Sequence, residues 1–238
     1  GFTLICLVYT SAGGIKAVIA TDCVQAVVFL AAGVTMLVFL QLTVGWGTIL
    51  AVGSSAGRLD VFNFVPDKGN LATGWFLDSN VFALAVMFGF VNTVAMQGTD
   101  HDFTQRMLTC RKLKEAKRSV ILSGIASIPV AALFLLIGVG LYVYYTTFLD
   151  PNLPTQLING EAVVMSDKVF PHFISTVLPA GLRGLLLCGV LAAAMSSLDS
   201  AMAALGSSVV VDLYKPFVKG RVTERGMVWL TRFMMVVV

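Results

Sequence analysis

Charge is scarce in this chain. Only 12% of its 238 residues are Asp, Glu, Lys or Arg, about half the share in a soluble domain. That scarcity argues against a solvated globular surface. The formal net charge of +3 is small and does not suggest a nucleic-acid partner. Four cysteines, Cys6, Cys23, Cys110 and Cys188, lie far apart with no CxxC pair. That weakens metal and redox readings and leaves them as small apolar residues to be buried. Alternating strands of the outer-membrane barrel type are absent as well.

What the chain has is hydrocarbon. Hydrophobic residues make up 57%, and the mean hydropathy is +0.88. Several apolar runs reach the roughly 20 residues a bilayer-crossing helix needs. The composition therefore predicts an all-α integral membrane protein, multi-pass, with the lipid bilayer as its solvent. Spans are expected at about 1–10 (truncated), 17–44, 81–105, 119–145, 182–211 and 227–238 (truncated). Gly1 opens inside an apolar run and Val238 closes inside another, so a piece from the middle of a longer protein is expected.

The basic residues fall in clusters. Arg106, Arg111, Lys112, Lys114, Lys117 and Arg118 form one; Lys215, Lys219, Arg221 and Arg225 form the other. Two spans lie between them, so both clusters can occupy the same side. The positive-inside rule makes that side cytoplasmic. Lys16 is then also inside, and the loops at 45–80 and 146–181 are outside. The span at 81–105 loses its apolar character early, at Gly89–Thr93, ahead of Gly98, Asp100, His101 and Asp102. Such an interruption marks either a discontinuous transporter helix or a normal helix that reaches the cytoplasm near Gln97.

The stretch LAAAMSSLDSAMAALGSS, residues 191–208, is apolar and free of proline, yet carries five serines and Asp199. On a helix, Ala193, Ser196, Ser197 and Ser200 follow i, i+3, i+4, i+7 and share one face. Hydroxyl oxygens are hard ligands suited to Na⁺. Small residues at this spacing also serve close helix packing. An acid in a span adds weight to the ion reading, because it is costly there. Asp22 is the second intramembrane acid, free to pair with Lys16 or to take part in a site. Two carboxylates in poorly solvated surroundings need a cation or a proton between them. Asp22 and Asp199 are expected to approach each other on the cytoplasmic side of Ser196. His101 and His172 are expected outside the depth of the serine helix, which argues against an intramembrane hydrolase.

Three motifs carry a family resemblance. AGGIKAVIATDCVQAVV, GTDHDFTQRMLTCRKLKEAKRS and LAAAMSSLDSAMAALGSS resemble, in order, three signatures of the sodium:solute symporter family. The resemblance implies a core of two inverted five-helix repeats, with sodium and substrate held at the midplane between broken helices. This piece would hold the last two core helices of the first repeat, the first three of the second, and the start of the next. The first core helix, which supplies the other half of both sites, is not in it. The family's main sodium site, one carbonyl and two adjacent hydroxyls, falls on Ala193, Ser196 and Ser197. A second cation site, present in some members, falls on Asp22, Asp199 and Ser200. The span at 81–105 becomes the broken helix of the substrate cavity, with Thr93 and Met96 lining it. Met96 replaces the aromatic gate of sugar-transporting members. The implied function is sodium-coupled symport of a small organic solute across the cell membrane. Na⁺ is the coupling ion, and neither an enzymatic step nor another cofactor is expected. The alternative is a sensor with the same membrane fold attached to a signalling module.

Overall fold

A computed structural model describes residues 2–60, 62, 64, 81–158, 161–218 and 223–237. The first helix, α1, runs from Phe2 to Val44 without a break. The sequence suggested a boundary between residues 10 and 17. None appears because SAGGIK contains no proline, and the two glycines cost only about 1 kcal/mol each relative to Ala. Within it, among the described residues, Ala17–Val44 is long and apolar enough to cross a membrane. Gly45 ends it at φ 86°, a left-handed conformation that glycine adopts freely. A short helix, α2 (Trp46–Ser55), follows where only a loop was expected.

The next span is α3 (Phe82–Thr99), and a separate helix, α4 (His101–Leu108), follows directly. The interruption therefore lies at Asp100, not at Gly89–Thr93. Gly89 stays helical. Asp100 takes an extended backbone instead, and its carboxylate accepts the Asp102 amide at 3.0 Å, capping α4. Asp102 in the first turn and Arg106 in the last complement the helix dipole. Beyond them, α5 (Leu113–Thr147) carries Lys114, Lys117 and Arg118 on its opening turns. The polar loop after it contains an antiparallel hairpin, β1 (Thr155–Ile158) with β2 (Glu161–Val164), paired Thr155 to Val164. Helix α6 (Ser166–Thr176) leads into α7 (Ala180–Ser208), the serine helix. It continues as a π-helical turn, Val209–Tyr214, then α8 (Lys215–Val218) and α9 (Glu224–Val237).

Helix α7 packs chiefly along α1, while α5 covers another part of α1. Ala32, Met36 and Leu40 repeat every four residues on α1 and are buried against Leu141 of α5, Phe173 of α6 and Leu186 of α7. Phe29 stacks on Phe134 at 4.7 Å between ring centres. Backbones approach closely at Gly189, where a Cβ would lie 2.6 Å from that of Ala32. This small-residue seam holds α7 against α1. In contrast, α3 buries none of its residues among the described ones. Cys23 and Cys188, expected to be buried, are exposed on helix faces. Among the described residues, four segments are long and apolar enough to cross a bilayer: Ala17–Val44, Phe82–Thr99, Leu113–Thr147 and Ala180–Phe217.

Candidate functional site

The antiparallel seam between α1 and α7 brings the intramembrane acid to the serines. Gly189 sits against Ala32, and seven residues further inward on α7 Ser196 meets Asp22. The Ser196 hydroxyl donates to Asp22 Oδ1 at 2.7 Å. Its proton is committed there, so its oxygen lone pairs are left to face another ligand. The next residue, Ser197, donates to the carbonyl of Ala193, one turn back, at 3.2 Å. That contact holds two of the expected sodium ligands side by side. Ser197 is exposed, whereas Ser196 is half-buried and Ser200 is buried. Asp199 is fully buried and partnered.

Arg106 completes the cluster from α4. Its Nη1 lies 2.8 Å from Asp22 Oδ2, its Nε 3.3 Å from Asp102 Oδ1, and its Nη2 donates to the Ser200 hydroxyl. The partner of Asp22 is thus Arg106. The Lys16 side chain, considered for that role, lies outside the described residues. A cavity of about 700 Å³ opens beside the cluster, with Asp100, Asp102 and Arg106 on one wall and Ser196, Ser197 and Ser200 on another. Thr93 and Met96 do not line it. Both are exposed on α3, and the structure does not bring them to the serines.

A second polar contact ties α4 to the inner end of the serine helix. His101 Nε2 lies 2.7 Å from the Ser207 hydroxyl, and Gln105 donates to the same oxygen. The expectation that His101 lies clear of this helix is corrected. The helix continues past Ser200 for two further turns and reaches it. Ser196 and Ser200 themselves contact Asp22 and Arg106. Arg106, Asp102 and Gln105 were not singled out as site residues. The i, i+4 spacing of Asp102 and Arg106 within the second motif signals their own pair but not the reach of Arg106 to α1 and α7.

Helices long and apolar enough to cross a membrane, with an acid and hydroxyls clustered in the seam between two of them, are the architecture of a multi-pass membrane protein with a polar site inside it. The profile of the Sodium:solute symporter family matches residues 1–238, and the chain belongs to that family. Among relatives, the sodium/sialic acid symporter SiaT of Proteus mirabilis is 30% identical over 217 residues, covering 89% of this chain and 40% of its own length. The sodium/glucose cotransporter of Vibrio parahaemolyticus is 28% identical over 232 residues, covering 92% and 40%. A solved Na⁺-coupled sialic acid symporter, substrate-bound and outward-open, superposes with a TM-score of 0.74 at 25% identity, covering 99% of this chain and 46% of that one. The fold is therefore the all-α, inverted-repeat transporter fold. This chain spans about 40% of the length of the curated relatives it matches.

Proposed function

We propose that this chain carries one half of the ion-coupling machinery of a sodium-driven symporter for a small organic solute. The observation that carries the reading is the α1–α7 seam. It sets the Ala193 carbonyl, the Ser196 and Ser197 hydroxyls and the Asp22 carboxylate within neighbouring turns of two packed helices. Ala193, Ser196 and Ser197 are assigned to the main Na⁺ site. Asp22, Asp199 and Ser200 are assigned to a second cation site on the inner side of Ser196, for Na⁺ or a proton. Thr93 and Met96 are assigned to the substrate cavity, facing helices contributed by the rest of the protein. Several relatives are sodium-coupled carriers of sialic acid, glucose or monocarboxylates, which supports sodium coupling and leaves the solute open.

In this mechanism the protein makes and breaks no covalent bond. Hard oxygens replace the hydration shell of Na⁺. Ion binding then stabilises one arrangement of the helices over another, and the solute is bound in that arrangement. The driving force is the sodium gradient, about 2.3 kcal/mol per charge for each 100 mV, plus the concentration term. The test is uptake by the intact protein in proteoliposomes against a panel of sugars, amino acids and carboxylates. At least one solute should accumulate only with an inward sodium gradient. Accumulation indifferent to sodium for every transported solute would overturn the reading.

A further inference from the structure

Arg106 makes three polar contacts with three different partners. It touches Asp22 on α1, Asp102 on its own helix and Ser200 on α7. Asp22 is largely buried, with 12% of its side chain exposed, while Asp102 is twice as open at 25%. The guanidinium therefore bridges from a sheltered carboxylate to a wetter one. It cannot lose its proton, so it carries its charge wherever it moves. Asp102 is one helical turn away and already within 3.3 Å. Two carboxylates share one guanidinium, so Asp22, Asp102 and Arg106 together carry a net charge of −1. One monovalent cation would neutralise these three; the buried Asp199 assigned to the same site is additional to them.

Two further features favour a second occupant of this place. Gln25 follows Asp22 by one turn on α1, and its Oε1 is buried without a hydrogen-bond partner among the described residues. The Ser196 oxygen, having donated to Asp22, keeps lone pairs that Arg106 does not use. The adjoining cavity, lined by Asp102 and Arg106 at one wall and Ser196 and Ser200 at another, offers the space for exchange.

We propose that the Arg106 guanidinium and a monovalent cation are alternative occupants of one cage formed by Asp22, Ser196 and Ser200, and that Asp102 receives the guanidinium when the cation enters. This rests on the sodium-coupling reading above and specifies how its inner site is regulated. A buried carboxylate left without a positive partner is strongly disfavoured, so the cage is not left empty of positive charge. Two cations at contact distance repel, so the occupants exclude each other. Arg106 is thus a tethered competitor that keeps Asp22 compensated until the ion arrives. Gln25 is the additional oxygen that the smaller ion, and not the guanidinium, draws on.

The exchange predicts opposite signs for two removals. Arg106→Gln takes away the competitor, and the concentration of Na⁺ at half-saturation falls. Asp102→Asn takes away the receiving carboxylate, holds the guanidinium on Asp22, and raises it. Each shift is expected to be about tenfold, the scale of one hydrogen bond to a charged group. Arg106→Lys keeps a tethered charge without the fork and falls between wild type and Arg106→Gln. The measurement is equilibrium ²²Na⁺ binding to the purified intact protein without solute. Shifts in the same direction for Arg106→Gln and Asp102→Asn would identify Arg106 as a structural brace and overturn the exchange. Absence of any ²²Na⁺ binding by wild type would instead overturn sodium coupling itself. Should Arg106→Gln not fold, the same comparison of sign is made between Arg106→Lys and Asp102→Asn.

Discussion

Ser196 and Ser197 are neighbours in sequence with different partners, and that difference can be measured. Ser197 holds the Ala193 carbonyl, and Ser196 holds Asp22. Ser197→Ala removes one hard oxygen and leaves the acid's contacts intact. Ser196→Ala removes an oxygen and also strips Asp22 of its hydroxyl donor. Both substitutions are expected to raise the half-saturating sodium of uptake by the intact protein. The expected size is about tenfold, equivalent to ~1.5 kcal/mol for one charge-assisted contact. Ser196→Ala should be the more damaging of the two. Sodium dependence unchanged in both variants would remove these hydroxyls from the site. Outside the bilayer, Asp150 sets a second residue-level expectation. Its carboxyl is held below the usual carboxylate range, first by the hydrogen bond from His172 at 2.9 Å and then by the Asn152 amide. A depressed carboxyl contributes stability that is present above its unfolded pKa, about 3.9, and fades as pH falls through the lower folded value. Asp150→Asn should therefore lower thermal stability near neutral pH and lose that difference as pH falls through the depressed folded value. A gap between the two proteins that persists in acid would contradict the assignment.

At the level of elements, the seam between α1 and α7 depends on the absence of a side chain. A Cβ at Gly189 would stand 2.6 Å from the Ala32 Cβ, so Gly189→Ala should force the two helices apart. Overpacking of this kind costs about 1–3 kcal/mol. The companion change Ala32→Gly vacates the same space. The double variant should recover part of the lost thermal stability, as expected for groups in direct contact. A loss that the second substitution does not reduce would mean that the close approach is elsewhere. How much of this was readable beforehand differs from element to element. The serine face was legible because its i, i+3, i+4, i+7 spacing is a local property of one helix. The 17–44 segment was legible from its apolar length alone. The two readings of the span at 81–105 could not be separated in the sequence, because Gly89 and Asn92 look like breakers, and the helix in fact runs on to Thr99. Whether they act as such depends on a competing cap, and Asp100 supplies it. Arg106 was read as one more charge in a basic loop. Its reach to Asp22 and Ser200 depends on how α4 docks across two other helices, and no spacing within the second motif reports that.

For the molecule as a whole, the remaining question is which way it sits in the bilayer. The clusters at 106–118 and 215–225 bracket α5 and α7, and two crossings return the chain to its starting side. Lys112, Lys114, Lys117 and Arg118 gather at the opening of α5, while its far end leads to Asp150 and the β1–β2 hairpin. The first end is rich in cations and the second is not, so the positive-inside rule predicts the first in the cytoplasm. On that prediction the Arg106 cluster lies toward the cytoplasmic side of the seam and the His172–Asp150 pair outside. Direction on α7 agrees, since it descends from Ala180 near that pair to Ser207 beside α4. In intact cells, a single cysteine placed at Asn152 should react with an impermeant thiol reagent. One placed at Glu115 should react only after the membrane is opened. The native cysteines would be removed first, because Cys23 and Cys188 are exposed on their helices. Labelling of the Glu115 position from outside, with Asn152 protected, would invert the protein. The gradient would then reach the Asp22 cage from its Arg106 side first.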